Sequence, residues 1–291
     1  HCVNLLLTYP EGCRAQCAYC GLSARRGGSG KGQSFIRVRW PEHPLDDIIE
    51  RVSNRTDTVK RICISMVTRR RAVADTLTVC NRLRSSFDIP VSLLVTPTIL
   101  SDGDLERFKA AGADKIGIAV DLATPTLFER YRGRGVRGPH QWDVYWRWFR
   151  WAVDVFGKGQ AGVHLMVGMG ETEREMCAAI QRARDLGGRT HLFSFFPEPG
   201  SLLADHPMPS IVHYRHIQLA RFLIDQGLAA ASRFSFDLRG RIVDFGLPET
   251  DRDRIIDSGE PFRTSGCAGY DGHVACNRPF ANSRPGAHLR N

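Results

Sequence analysis

The chain has 291 residues, of which 42% are hydrophobic, 9% aromatic and 24% charged. That length buries a full core without disulfide staples, and the composition excludes a disordered chain, a collagen-like chain and a coiled-coil rod. The net charge of +9 is nearly all arginine, because Lys31, Lys60, Lys109, Lys115 and Lys158 are the only lysines; guanidinium groups suit carboxylate or phosphate partners, unless the excess is only a compositional bias.

Short apolar runs recur along the chain, each followed by a helical pattern. They predict strands at 3–9, 61–66, 91–96, 115–120, 161–167 and 191–196. The runs read as near-continuously apolar, which strands buried on both faces require. Ser101 with Asp104 and Thr172 with Glu175 have capping-box spacing, and Thr124-Pro125 reads as an N-cap followed by an N1 proline. Gly112 and Gly187 fall where helices should stop. Alternating strands and helices without a GxGxxG turn predict an α/β fold of the (βα)6 type, a partial TIM barrel rather than a Rossmann sheet. Segment 142–151 (WDVYWRWFRW) has apolar residues at helical spacing, which favours packing on the barrel over a partner surface.

After residue 230 the character changes. Segments 234–238 and 241–245 flank Arg239-Gly240 as a hairpin, and from 258 the tail is rich in Gly, Pro, Ser and Asn. The organisation expected is a barrel domain over 1–230 and a loop-rich C-terminal extension over 231–291.

No apolar run approaches the roughly 20 residues of a membrane span, and no nucleic-acid-binding signature is present, so neither partner is expected. The chain opens on His1 rather than Met, which leaves a preceding segment open. Nine cysteines are an odd number in a chain too large to need a disulfide framework. They point to a reducing, cytoplasmic setting, with some thiols reserved for metal or chemistry.

Cys13-x3-Cys17-x2-Cys20 follows the first strand, on the rim where barrel enzymes build their chemistry. Three thiolates so spaced can each bind one iron of a cubane and leave the fourth iron open. The alternatives are three cysteines on one buried helical face, which Gly12 and Gly21 interrupt, or a zinc site, for which the local stretch offers no fourth ligand.

A CxxxCxxC motif after the first strand of a βα barrel resembles the radical SAM superfamily. The resemblance implies a [4Fe–4S] cluster on Cys13, Cys17 and Cys20, with S-adenosylmethionine chelated to the open iron and a 5′-deoxyadenosyl radical that abstracts hydrogen from an inert C–H bond. It also implies that Tyr19 packs beside adenine. Val167–Thr172 (VGMGET), with Gly168 and Glu171, resembles a stretch of the biotin-synthase-like branch whose backbone lies beside the adenosine. Pro199–Ala204 (PGSLLA) resembles a second stretch of that branch. Asp121 matches the carboxylate that binds the ribose hydroxyls, with a helix N-terminal role as its alternative. Arg137 and His140 lie near where the family keeps a cation for the methionine carboxylate, unless that stretch is a solvated loop.

Biotin synthase itself keeps a sacrificial [2Fe–2S] cluster on cysteines of strands two, three and five. Here only strand two has one, Cys63, so that cluster is not carried over. The tail and much of the chain instead resemble the split, two-protein lipoyl synthase family. Arg263-Thr264-Ser265 is similar to the Arg-Ser-Ser element of single-chain lipoyl synthase, where serine caps an iron of the auxiliary [4Fe–4S] cluster that donates sulfur. On this resemblance Cys267 and Cys276 are auxiliary ligands, joined by Cys2 and Cys63, with Ser265 as the cap. The N-terminal CxxxxCxxxxxC set of the single-chain enzyme is missing, and a structural zinc or idle thiols are the alternatives for the tail.

The activity implied is sulfur insertion at C6 or C8 of an octanoyl chain on a lipoyl carrier protein. A companion radical SAM lipoyl synthase and a ferredoxin- or flavodoxin-type reductant would be its partners. The rival readings are a biotin-synthase-like enzyme with another outcome (methylation, rearrangement or dehydrogenation) and a zinc-bound basic scaffold.

Overall fold

Six parallel strands form one sheet in the order β1 (Cys2–Leu6), β4 (Arg61–Ser65), β5 (Val91–Val95), β6 (Ala113–Asp121), β7 (Ala161–Val167) and β8 (Arg189–Ser194). The structure is a computed structural model and describes residues 1–24, 34–35 and 38–275. The six strands with their helices make a half-barrel of the expected (βα)6 type, with β1 and β8 as its two edges. A two-residue antiparallel pair, β2 (Ser34–Phe35) with β3 (Val38–Arg39), lies outside this sheet.

The strands are not uniformly apolar. Parallel register pairs Asn4 with Cys63, Cys63 with Ser92, Ser92 with Lys115, and His164 with His191, so the polar residues share one face. A Cβ added to Gly117 would stand 3.1 Å from His164 Nε2 and 3.2 Å from Leu94, which puts those residues on the same concave side. The opposite face carries Ile62, Ile64, Leu93, Ile118, Val163 and Leu165, none more than 1% exposed. One face is thus a polar lumen and the other the core.

The helices close on that apolar face. They are α1 (Leu45–Ser53), α2 (Ala72–Ser86), α3 (Asp104–Ala110), α4 (Pro125–Tyr131), α5 (Trp142–Phe156), α6 (Glu173–Asp185) and α7 (Ile211–Gln226). Trp142, Tyr145, Trp146, Trp148 and Phe149 of α5 are all buried, so the aromatic helix is core. Thr172 and Glu175 form the expected capping box, and Thr124 accepts the Leu127 amide before Pro125. Ser101 does not cap: left-handed Gly103 precedes α3, and the Asp104 carboxylate accepts the Ser101 amide at 2.8 Å.

The hairpin is present as β9 (Ser235–Phe236) and β10 (Ile242–Asp244), followed by α8 (Glu249–Asp257). Residues 263–275 then run beneath the N-terminal ends of the strands. Arg61 holds this segment by donating Nε to the Ala268 carbonyl at 2.5 Å while its fork grips Asp114 with two bonds of 2.6 Å. Lys60 pairs with Asp271, and the Tyr270 amide reaches the Lys60 carbonyl at 3.2 Å.

Candidate active site

The three-cysteine loop leaves β1 at the C-terminal rim of the sheet. Gly12, at φ 64, turns the chain after Tyr9, where only a residue free of a Cβ penalty sits comfortably. Backbone bonds then anchor the loop to its surroundings. Arg14 donates to the Thr68 carbonyl at 3.0 Å, Ala18 to that of Tyr131 at 2.8 Å, and Leu203 to that of Ala18 at 3.2 Å. Arg69 grips the carbonyls of Glu11 and Gly12 from the neighbouring strand's loop.

Two amides point at sulfur: Ala15 N–H at Cys13 Sγ and Leu22 N–H at Cys20 Sγ, both at 3.4 Å. Burial pushes the Cys17 and Cys20 thiols up, and the neighbouring cysteine sulfurs push both further in the same direction. Bare thiolates are therefore unfavourable here, whereas iron would supply the positive charge that burial withholds. Among the described residues no group of three or more His, Cys, Asp or Glu side chains is poised around one metal ion. A cubane asks for something different, one thiolate to each iron. The loop, with amides aimed at its sulfurs, fits such a cluster.

Beside the loop lies a buried polar network. The Tyr19 hydroxyl donates to Asp121 Oδ2 at 2.6 Å, and Arg132 binds both, at 2.9 Å to Tyr19 and in an ion pair with Asp121. Arg132 continues to the Tyr145 hydroxyl at 3.2 Å. Tyr145 in turn meets Thr96 at 2.7 Å and His140 Nδ1 at 2.8 Å. Thr98 completes the group at 2.5 Å from His140 Nδ1. Burial and the nearby Arg132 charge hold the His140 pKa down to about 2, so its imidazole is neutral. Its buried Nε2 has no partner among the described residues, and neither has Nε of Arg132.

Asp121 ends β6 with φ 67, a left-handed conformation that aspartate tolerates better than most residues. The kink turns its carboxylate toward Tyr19 and Arg132. Arg137 takes the other course: it lies exposed, at φ 55, after a 3-10 turn. Arg132 is a buried cation that the sequence motifs do not mark. It is 5% exposed, and its field reaches both Cys17 and Cys20.

The Val167–Thr172 turn follows β7. Gly168 has φ 101, and a Cβ there would stand 2.6 Å from the Pro209 ring. Glu171 turns back on this segment, accepting the amides of Gly168 at 2.7 Å and Met169 at 2.8 Å. Its carboxylate therefore clips the turn, and backbone rather than side chain is what the loop offers to the lumen.

At the opposite end of the lumen, the tail brings Ser265 and Cys267 beneath the strands. His191 donates Nδ1 to the Ser265 carbonyl, and the Leu192 amide reaches Ser265 Oγ at 3.4 Å. Burial alone would raise the Cys267 thiol, but His191, Arg61 and Lys115 lower it. The Arg61 charge also senses Cys2, which opens β1 on the lumen face, and Cys63 stands two residues along on β4. Cys2 and Cys267 thus share the field of Arg61 at the floor, with Ser265 two residues from Cys267 and Cys63 two residues along from Arg61, but no three of these side chains surround one point among the described residues. Cys276 lies outside the described residues. Soft sulfur donors under a basic lining suit an anionic iron–sulfur cluster.

A family model described as the radical SAM superfamily matches residues 7–183. The chain is 25% identical over 248 residues to a biotin synthase of Maricaulis maris, covering 79% of this chain and 66% of that protein. It is 23% identical over 212 residues to a biotin synthase of Bordetella avium, covering 71% and 57%. The chain therefore spans less than two thirds of the length of these relatives. Among solved structures it is similar to methylornithine synthase, with a TM-score of 0.59, 12% identity, and coverage of 77% of this chain and 62% of that one. It is also similar to the FeFe-hydrogenase maturase HydG from Carboxydothermus hydrogenoformans, with a TM-score of 0.56, 16% identity, and coverage of 78% and 51%. At these identities the likeness is one of fold, a half-barrel. No described helix is long and apolar enough to cross a membrane.

Proposed function

The chain belongs to the radical SAM superfamily, and on that premise we propose that it is a biotin-synthase-like sulfur-inserting enzyme of the lipoyl synthase type. Its substrate would be an octanoyl chain on a lipoyl carrier protein, attacked at C6 or C8. A companion radical SAM lipoyl synthase and a ferredoxin- or flavodoxin-type reductant would complete the system. The family membership leaves the zinc-scaffold reading without support.

The observation that supports this reading is that Cys2 and Cys267 both lie within the field of Arg61 at the lumen floor, with Ser265 two residues from Cys267, at the end opposite the rim that bears Cys13, Cys17 and Cys20. When bound at the rim, the cluster and S-adenosylmethionine supply hydrogen abstraction from an unactivated carbon. Every other task falls to the chain. Cys13, Cys17 and Cys20 would hold the iron. Arg132, fixed by Asp121 and Tyr19, keeps a buried positive charge beside that loop, suited to a carboxylate. Gly168 and Gly170 allow the left-handed backbone of the 167–172 turn, which would lie beside the cofactor, and Glu171 keeps that turn from relaxing. At the floor, Cys2, Cys63 and Cys267 would hold the sulfur donor, with Ser265 as a hard oxygen ligand that leaves iron more readily than thiolate. Neutral His140, with Thr96, Thr98 and Tyr145, backs Arg132 without adding a competing charge.

The test is an anaerobic single turnover on an octanoyl-lysyl peptide, run with and without the companion enzyme. Sulfur gained by the peptide should track 5′-deoxyadenosine formed. Cys267→Ala should lower iron and sulfide content, form 5′-deoxyadenosine and transfer no sulfur. A methylated, rearranged or desaturated product, or normal sulfur transfer by Cys267→Ala, overturns the reading.

A further inference from the structure

Outside the barrel, along the solvent side of α6, lies an open groove of about 640 Å³. Arg150 of α5 and Arg174 and Arg182 of α6 border it, and Leu186, Phe234 and Phe236 form its apolar side. None of the three guanidinium groups has an ion pair or a side-chain hydrogen bond among the described residues. Arg174 lies over the Phe236 ring at 4.7 Å, and Arg182 over the Trp146 ring at 4.2 Å. Burial works against the Arg182 charge, and Asp143 attracts it somewhat more than Arg150 repels it. The one carboxylate in the lining, Asp185, accepts Gln181 Nε2 at 2.8 Å. The groove therefore presents three exposed guanidinium groups with no direct ion pair, two of them laid over aromatic rings.

Eight residues of helix separate Arg174 from Arg182, about 12 Å of rise. No single carboxylate or phosphate spans that distance, so the charges mark a line rather than a pocket for one small anion. A line of guanidinium groups flanked by aromatic and aliphatic surface matches a segment whose carboxylates and apolar side chains alternate at helical spacing. Arg174 sits in the first turn of α6, three residues beyond Glu171, so one end of the groove abuts the lumen rim.

We propose that this groove docks an acidic, amphipathic segment of the protein that delivers the acyl chain. The assignment rests on the reading that the substrate is carried by a protein, and it names the surface that would receive it. Docking beside the 167–172 turn holds the carrier at the mouth of the lumen while leaving the mouth open.

The experiment uses the full chain and a fluorescein-labelled helical peptide of alternating glutamate and leucine turns, titrated by anisotropy and by tryptophan emission. Binding should weaken between about 50 mM and about 300 mM salt, as screening of exposed charges requires. Tryptophan emission should change as the peptide draws Arg182 from Trp146. R150E, R174E and R182E should each weaken binding about tenfold, with circular dichroism unchanged because all three side chains are exposed. R51E, on the exposed surface of α1, should bind as the parent does. Equal affinity across the groove variants, or displacement of the peptide by a short oligonucleotide or by ATP at lower concentration, overturns the proposal. The assay needs neither cluster nor S-adenosylmethionine. Lost peptide binding with intact sulfur transfer refutes the groove alone, and intact binding with no sulfur transfer refutes only the chemistry.

Discussion

Tyr19 and Asp121, 102 residues apart in sequence, meet in a hydrogen bond of 2.6 Å. One belongs to the cysteine loop after β1 and the other ends β6, so this bond and the Arg132 that joins both tie the rim loop to the middle of the sheet. Loop position and cation position are thereby set together.

Replacing Arg132 by Met should strand the Asp121 carboxylate and the Tyr19 and Tyr145 hydroxyls. Breaking a buried ion pair costs roughly 3–5 kcal/mol, and Asp121 keeps some access to water, which puts this site at the lower end. Urea unfolding should show the loss. Arg132→Lys should recover part of the stability, because one ammonium cannot span Asp121, Tyr19 and Tyr145 together. An Arg132→Met protein as stable as the parent would contradict the network.

Cys13→Ala, Cys17→Ala and Cys20→Ala should each abolish the broad visible absorbance of the anaerobically reconstituted rim cluster and cut 5′-deoxyadenosine formation by more than about 100-fold. Cys80→Ala, a fully buried thiol on α2 that faces the Ala111 carbonyl at 3.4 Å, should leave both unchanged. Equal loss in the Cys80 variant would mean that unfolding rather than ligation is being read.

Stability should depend on pH through His213. It stands 3.2 Å from Glu173 and 4.0 Å from Glu171, whose hydrogen bonds raise its pKa from 6.5 to about 9. A pKa raised by folding adds stability that is complete below the unfolded value of 6.5 and lost as the pH climbs through about 9. Glu173 moves the other way: burial opposes its charge, but hydrogen bonds from His213, His216 and the Ile242 amide outweigh that and lower it to about 2. Its contribution is present above 4.5 and fades as the pH falls toward 2. Melting temperature should therefore crest between about 4.5 and 6.5, and His213→Ala should flatten the alkaline limb. An alkaline limb unchanged in that variant would refute the assignment.

Gly162→Ala should loosen the floor from a distance. The added Cβ would stand 2.7 Å from His191 Nε2, so the ring must move, and that ring holds the Ser265 carbonyl. Limited proteolysis should cut the 263–275 segment sooner, while the rim cluster reconstitutes normally. Parental resistance to protease would mean that the ring can give way without releasing the tail.

The parts of the site that are local in sequence were legible there. Cys13, Cys17 and Cys20 announce themselves by spacing, and Asp121 by its place at a strand end. Arg132 was not legible, because its partners Tyr19, Asp121 and Tyr145 come from three different elements. The available signal was a cation directly after Tyr131 and four residues after Phe128, two residues the core buries, where a solvated arginine would be out of place. The polar lumen was hidden for a related reason. Asn4, Cys63, Ser92, His164 and His191 give only one polar residue to each of five strands, and Leu94, Gly117, Met166 and Phe193 share their face, so the strands read as continuously apolar. Strand β8 begins at Arg189, two residues before the predicted start, because register with Gly162 outweighs the polarity of Arg189 and Thr190.

The sheet stops at β1 on one side and β8 on the other. A closed eight-stranded barrel stuffs its centre with its own side chains and leaves only its mouth for chemistry. An unfinished arc keeps a berth along its length, into which a bulky guest can be laid sideways and from which it can be lifted without being unthreaded.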